Sequence, residues 1–170
     1  WYNAIYTPLK KLSVWAVFVG TITGIIPFFI GITSATNQLP NSYDYFIGFY
    51  MFLWQIPHFF LLICRYGKEY EQAGLASLTH KSSTEKLVLI SYIWMIASCV
   101  SSLFIPLFGL TRNRPTGFAI LLVVVLVLFV ISRNVFSNKR NYDFRSLFIT
   151  TNIMQASFML IMVIDSLFIF

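Results

Sequence analysis

The sequence predicts an all-α, polytopic transmembrane helical bundle, and three observations support this prediction. Of the 170 residues, 58% are hydrophobic and 11% are charged, whereas a soluble domain usually carries about 25% charged residues. The mean hydropathy is +0.75. Five apolar segments approach the length of roughly 20 residues that a helix needs to cross a bilayer. These predicted spans cover approximately residues 13–35, 43–64, 87–110, 117–132 and 146–170.

The whole chain, residues 1–170, is predicted to form a single transmembrane domain, because no repeat or low-complexity linker interrupts it. The segment 117–132 is shorter than the other four but almost purely aliphatic, so we count it as a span and expect it to face lipid. The chain begins with Trp1 rather than Met and shows no signal peptide. We therefore expect it to be a piece of a longer protein.

The basic residues are divided unequally between the two ends of the five predicted spans. Ten lie on one side and two on the other, which together account for all 12 Lys and Arg residues. The positive-inside rule makes the richer side cytoplasmic, or the matrix side in a mitochondrion. The net charge of +6 is then a topology signal and does not predict binding of nucleic acid. The richer side carries Lys10, Lys11, Arg65, Lys68, Lys81, Lys86, Arg133, Lys139, Arg140 and Arg145, and the other side carries Arg112 and Arg114.

Polar residues interrupt the second predicted span. Gln55 and His58 are three residues apart and therefore share one helix face, and His58 lies about 10 Å from the end that Arg65 marks. Polar groups inside a membrane usually face a cavity or a partner. Pro57 should leave the carbonyl of Leu53 without its helical donor, which predicts a kink with added local polarity. A packed histidine without a functional role is the alternative interpretation.

The last and the first predicted spans carry further signals. Asn152 lies about 10 Å from the same side of the membrane, and Gln155 follows it by three residues. Amides inside a span either line a cavity or hydrogen-bond between helices. Gly20 and Gly24 form a pair of small residues four positions apart, and this spacing is typical of close helix contacts. We interpret the glycine pair as structural.

Two basic clusters on the predicted cytoplasmic side could hold a diphosphate. Residues 6–11 precede the first span, and residues 65–70 follow the second. Lys and Arg neutralise phosphate oxygens, and Arg does so with two parallel hydrogen bonds. Glu69 or Glu71 could bind Mg²⁺, which takes few protein oxygens besides substrate phosphates. The alternative is that these cations only set the topology and contact lipid head groups.

Several of these motifs match one known family. They are Trp54-Gln55-x-Pro57-His58, the Tyr-x-x-x-Lys-basic element at residues 6–11, the block at 65–74 and the segment 144–148. With them the chain resembles the protoheme IX farnesyltransferases (haem O synthases), a branch of the UbiA-type intramembrane prenyltransferases, over nearly its whole length. The Trp-Gln-x-Pro-His element is the specific part of this resemblance, and the Tyr-x-x-x-Lys element is shared more widely.

The resemblance implies a nine-helix fold around a cavity that opens toward the cytoplasm, of which this chain would be the last five helices. The family's first Asp-rich motif, which holds most of the Mg²⁺ and diphosphate, would lie upstream of Trp1. The second acidic motif is weakened in the haem branch, and here Lys68 stands at a place that is often acidic. Glu69 is then the best match for a Mg²⁺ ligand, and the fragment is expected to be inactive alone.

The resemblance also implies the reaction, which is transfer of a farnesyl group from farnesyl diphosphate to a vinyl group of haem B, giving haem O for terminal oxidase assembly. Lys10, Arg65 and Glu69 are the implied catalytic residues, with Mg²⁺ as the cofactor. The implied diphosphate-binding residues are Lys10, Lys11, Arg65, Tyr66, Lys68 and Tyr70. The implied walls of the haem and prenyl cavity are Trp54, Gln55, His58 and Asn152, and His58 could contact the haem iron or a propionate.

Two other functions stay open at this stage. One is a prenyltransferase that acts on a quinone precursor or another aromatic ring, and the other is a transporter or a non-catalytic haem- or quinone-binding membrane subunit. The expected location is the bacterial inner membrane, with the mitochondrial inner membrane as the alternative. Haem A synthase or oxidase assembly factors are the expected protein partners.

Overall fold

The computed structural model describes residues 2–13, 16–72, 83–137 and 143–167, and within them all side chains except those at positions 10–12, 68, 70–71, 84 and 135–137. This part of the chain is helical and contains no β-strand. A π-helical turn, Tyr2–Tyr6, leads directly into a short helix. The six α-helices are α1 (Thr7–Leu12), α2 (Ala16–Thr36), α3 (Ser42–Gln72), α4 (Thr84–Leu107), α5 (Arg114–Ser137) and α6 (Phe144–Leu167).

Helices α2 to α6 each contain a segment that is long and apolar enough to cross a membrane, with 21 to 26 residues per segment. The prediction of a helical membrane bundle with five spans is therefore confirmed, and the chain is a multi-pass membrane protein. The predicted span 117–132 is longer than expected, because its helix already begins at Arg114 and the candidate span runs to Asn134.

Helix α3 is bounded by polar side chains at its start and continues past its predicted end. The Asn41 Oδ1 atom accepts hydrogen bonds from the backbone N–H groups of Tyr43 (2.8 Å) and Asp44 (3.2 Å), and Asp44 Oδ2 accepts one from the Asn41 N–H (2.8 Å). This reciprocal arrangement is a capping box. The helix passes through Pro57, and the described residue inside α3 that has non-helical angles is Tyr66 (φ −112°, ψ 17°).

Helix α4 ends three residues before its predicted limit because of a left-handed glycine. Gly109 has φ +70°, which glycine adopts without a steric penalty. Its N–H donates to the Pro106 carbonyl (3.1 Å), and the Leu110 N–H donates to the Ile105 carbonyl (3.0 Å). These two bonds are those of a Schellman motif, which stops the helix.

The chain divides into two compact units, Trp1–Trp94 and Met95–Phe170, with the boundary inside α4. In the first unit α2 packs against α3. One core cluster there consists of five buried apolar residues from α2, α3 and the start of α4. Phe18 and Trp94 pack against this cluster, and the centroids of their two rings are 5.9 Å apart. These core residues are Val17, Ile56, Phe60, Ile63 and Leu87.

In the second unit α5 packs against α6. The buried apolar residues of α5 follow the helical period and form one stripe, while most of the intervening apolar side chains are exposed. The stripe consists of Ile120, Val124, Val127 and Ile131. A helix with apolar residues all round and only one buried stripe is suited to face lipid on the other side. Beside this pair, the Cys99 Sγ atom lies 3.6 Å from the Met154 Sδ atom in a buried contact.

A buried carboxylate ties the start of α5 to the end of α6. Asp165 is 4% exposed and accepts hydrogen bonds from the backbone N–H groups of Arg112 (2.7 Å) and Asn113 (3.0 Å) and from Asn113 Nδ2 (3.2 Å). The Thr116 hydroxyl donates a further bond to the same carboxylate. The cost of burying a charge is therefore offset by four donors.

Candidate functional site

The polar residues of the Trp-Gln-x-Pro-His element lie on the middle of α3, in the first unit. Trp54, Gln55 and His58 are all half-buried. The rings of Trp54 and His58, one turn apart, have their centroids 5.3 Å apart with a tilt of 42°, and the His58 ring meets Phe59 edge-on at 5.7 Å. The imidazole is therefore held between two aromatic rings, which restricts its orientation.

Helix α2 approaches this element closely enough to touch the amide of Gln55. A Cβ atom added at Gly24 would overlap the Gln55 side-chain amide. Only glycine leaves this space, so Gly24 sets the position of Gln55. The same helix offers a contrast at Gly31, where an added Cβ would meet nothing within 4 Å.

Gln55 also has an unsatisfied polar atom. Its Oε1 atom is buried and accepts no hydrogen bond from any of the described residues. Leaving a buried acceptor unpaired costs about 1–3 kcal/mol, and such groups in native proteins commonly mark functional positions or places for water or ligand. The α2–α3 contact thus presents a hydrogen-bond acceptor that a bound molecule or water could use.

Gly20, the other member of the glycine pair, contacts a different side chain. A Cβ atom at Gly20 would lie 2.8 Å from Cε2 of Tyr6, so the Tyr6 ring packs directly on α2. This contact ties the N-terminal turn, and α1 after it, to the first span. The sequence predicts Gly20 and Gly24 as one structural pair, whereas in the structure Gly20 meets Tyr6 and Gly24 meets Gln55. Tyr6 and Gln55 both belong to motifs of the resemblance.

The cationic end of α3 begins at Arg65. Its guanidinium lies 5.1 Å from the centroid of the Tyr66 ring, and Arg65 and Glu69 are both exposed. The non-helical angles at Tyr66 interrupt the regular progression of side chains just where the charged block starts. The chain kinks there, and a second helical segment follows and runs to Gln72, because charged residues are compatible with a helix that has left the apolar segment.

Part of the predicted diphosphate site lies outside the described side chains, namely Lys10, Lys11, Lys68 and Tyr70. The backbone of Lys10 and Lys11 belongs to α1, and that of Lys68 and Tyr70 belongs to α3. The expected approach of Lys10 to Arg65 and Glu69 stays a prediction.

The polar residues of α6 lie in the second unit. Asn152 is half-buried, and its Nδ2 donates to the Phe148 carbonyl one turn earlier (2.7 Å). Gln155 is 7% exposed, and neither of its amide atoms has a hydrogen-bond partner among the described residues. The sequence predicts Asn152 as a cavity residue and not Gln155, because sequence alone does not distinguish the more deeply buried amide. A cavity shared by Asn152 and His58 stays a prediction.

Glu69 is the carboxylate that the sequence predicts as a magnesium ligand. The described residues contain no group of three or more His, Cys, Asp or Glu side chains that could surround a metal ion. Glu69 supplies one exposed carboxylate next to the cationic block, and Mg²⁺ commonly binds one or two carboxylates plus substrate phosphates. Glu69 therefore fits as one ligand and does not form a complete site.

Comparisons with known proteins agree with the motifs. The sequence profile described as the UbiA prenyltransferase family matches residues 1–154. The chain is similar to a protein named protoheme IX farnesyltransferase from Geobacter sulfurreducens (strain ATCC 51573 / DSM 12127 / PCA), with 33% identity over 114 residues that cover 67% of this chain and 42% of the relative. No solved structure gives a significant match.

Proteins with the same name from two further bacteria are also similar to this chain. The relative from Sorangium cellulosum (strain So ce56) is 36% identical over 123 residues, covering 71% of this chain and 43% of its own length. The relative from Flavobacterium psychrophilum is 26% identical over 156 residues, covering 88% of this chain and 50% of its own length. The chain thus spans about half the length of the curated relatives it matches.

Proposed function

This chain belongs to the UbiA prenyltransferase family, and we propose that the complete protein transfers a farnesyl group from farnesyl diphosphate to a vinyl group of haem B, giving haem O. The observation that carries the proposal is the Trp54-Gln55-x-Pro57-His58 element. It is the most specific part of the resemblance, and it combines a buried, unsatisfied acceptor on Gln55 with an imidazole flanked by aromatic rings. The names of the relatives support the same acceptor.

In this proposal the cationic ends of α1 and α3 bind the diphosphate of the donor. The C–O bond of farnesyl diphosphate breaks, and the diphosphate leaves with the electron pair. Arg65, Lys10 and Lys11 stabilise the charge that develops on the leaving group, and such preorganised electrostatic groups often supply the largest part of a rate enhancement. Mg²⁺, when bound by Glu69 and the phosphates, would neutralise the same charge.

The Trp-Gln-x-Pro-His face then orients the acceptor. The terminal vinyl carbon of haem B attacks the farnesyl cation, a water molecule adds to the new cation on the other vinyl carbon, and a proton is released. The products are haem O and diphosphate. Gln55 Oε1 accepts a hydrogen bond from substrate or from the attacking water, Trp54 offers a ring face that favours positive charge, and His58 contacts the porphyrin.

The acceptor is tested by offering the complete protein, in membranes with farnesyl diphosphate and Mg²⁺, an equal mixture of haem B and 4-hydroxybenzoate. We expect farnesylated haem as the product, identified by mass spectrometry. Prenylation of 4-hydroxybenzoate alone would replace the proposal by the quinone-precursor alternative. A haem-binding protein that yields no product from either acceptor would favour the non-catalytic alternative.

Replacing Arg65 by alanine in the complete protein should raise the KM for farnesyl diphosphate by about 10- to 100-fold, the factor that a lost hydrogen bond to a charged group implies. The measurement is the initial rate of haem farnesylation against the concentration of farnesyl diphosphate. Lys86→Ala is the matched control, because Lys86 is also an exposed cation at a helix end of the first unit. An equal effect of both substitutions would contradict a specific role of Arg65.

A further inference from the structure

A pocket lies in the second unit, and none of its lining residues is among those assigned to farnesyl transfer. It has a volume of about 610 Å³, which is within the range of roughly 300–1,000 Å³ that small-molecule sites occupy. Its walls are the end of α4 and the first two turns of α5, and they include Leu103, Leu107, Phe118 and Leu121. Phe118 is 73% exposed, so this wall is open toward the surroundings of the protein.

One end of this pocket is cationic. Arg112 in the connection between α4 and α5 and Arg114 at the start of α5 line this end, and both are exposed. In the predicted topology these are the two basic residues on the side of the membrane that is poor in cations, so the positive-inside rule gives no reason for them. Their position at one end of an apolar pocket does give a reason for these two arginines.

The nearby carboxylate does not neutralise this end by an ion pair with a guanidinium. Asp165 directs its oxygen atoms to the backbone N–H groups of Arg112 and Asn113 and to the Asn113 and Thr116 side chains. The Arg112 guanidinium donates from one nitrogen to the Ser166 carbonyl (3.2 Å). Asp165 thus fixes the connection between the helices, and the pocket keeps positive charge at its polar end.

The length of the apolar wall is compatible with the acyl chain of a lipid. Leu121 is seven residues beyond Arg114, which places it about 10 Å along α5, whereas one leaflet of the hydrocarbon core is about 15 Å thick. A molecule with a negative head at the arginines would therefore have its chain in contact with Phe118 and Leu121 over much of one leaflet.

From this charge complementarity we propose that the pocket binds an anionic phospholipid. The phosphate lies at Arg112 and Arg114, and one acyl chain lies along Leu103, Phe118 and Leu121. Arginine suits such a head group, because its guanidinium binds phosphate oxygens in pairs. The proposal is independent of the farnesyl-transfer reaction.

The test uses the complete chain in vesicles of equal parts phosphatidylglycerol and phosphatidylcholine, with Phe118 replaced by the photo-reactive p-benzoylphenylalanine. After irradiation, mass spectrometry counts the two lipid adducts. We expect phosphatidylglycerol adducts to exceed phosphatidylcholine adducts by about fivefold or more, the factor that one cation near an anionic head group supplies. The same probe at Val125, which is exposed on α5 but does not line the pocket, should give nearly equal adducts.

Two substitutions on the same helix assign the preference to the cationic end. Arg114→Gln should reduce the ratio at position 118 to nearly one, Arg114→Lys should keep most of it, and Arg133→Gln at the other end of α5 should leave it unchanged. Equal adducts in the unsubstituted chain would overturn the proposal, and so would an equal loss in Arg114→Gln and Arg133→Gln. The adduct ratio of the chain that carries only the probe at position 118 tests the proposal even if Arg114→Gln fails to fold.

Discussion

Alanine in place of Gly24 is expected to lower the rate of the proposed haem farnesylation by the complete protein roughly 100-fold, the effect of misplacing a functional group by about 1 Å. The reason is that a Cβ at this position would overlap the Gln55 amide and displace it from the α2–α3 contact. The end of a glutamine side chain moves at little cost, so the free energy of unfolding should change by only about 1 kcal/mol. Rate and stability are measured on the same purified protein.

Gly31→Ala is the matched control, since it adds the same methyl group to the same helix where nothing lies within 4 Å. Gln55→Ala should lower the rate as much as Gly24→Ala, and the double variant should lose no more than either single one. Such non-additivity is expected when two residues act through one group. A Gly24→Ala protein as active as Gly31→Ala would contradict the assigned role of Gln55.

Alanine in place of Asp165 is expected to reduce the free energy of unfolding by more than about 3 kcal/mol, because it leaves several buried donors unpaired. Four hydrogen bonds from Arg112, Asn113 and Thr116 end on this carboxylate. The measurement is reversible unfolding of the chain in detergent micelles. The conservative change Asp165→Asn should cost less, because one side-chain oxygen still accepts.

Asp44→Ala is the control variant, because it removes a carboxylate that accepts fewer hydrogen bonds than Asp165. Among the described residues Asp44 accepts one hydrogen bond, from the Asn41 N–H at 2.8 Å, and it lies at an exposed helix start, where a lost cap costs about 1 kcal/mol. A loss of stability at Asp165 no larger than that at Asp44 would show that the carboxylate does not hold α5 to α6.

Hydropathy was sufficient to predict the five spans, but the helix limits depended on other forces. The predicted end of α4 at 110 followed the apolar run, whereas Gly109 in the left-handed region stops the helix earlier. The predicted end of the second span at 64 also followed the apolar run, whereas α3 continues through the charged block to Gln72. Apolar composition marks what can lie in lipid, while caps and backbone propensity decide where a helix ends.

Residue type and spacing were sufficient to select the candidate site residues. They did not predict which residues of other helices contact them. The three-residue spacing of Gln55 and His58 predicts a shared face, and both lie on α3. Which residue of another helix meets that face depends on the rotation and register of the two helices, and the sequence of one chain does not encode this in a readable pattern. The contact of Gly24 with Gln55 therefore required the structure, as did the deep burial of Gln155.

The most direct test of the account is photoaffinity labelling of the complete protein in membranes with a benzophenone analogue of farnesyl diphosphate, followed by peptide mass spectrometry. The account predicts adducts on α3 between Trp54 and His58, suppressed by an excess of farnesyl diphosphate and reduced in Gly24→Ala but not in Gly31→Ala. Adducts confined to other helices, with this part of α3 unlabelled, would contradict the claim that this face of α3 lines the reaction cavity.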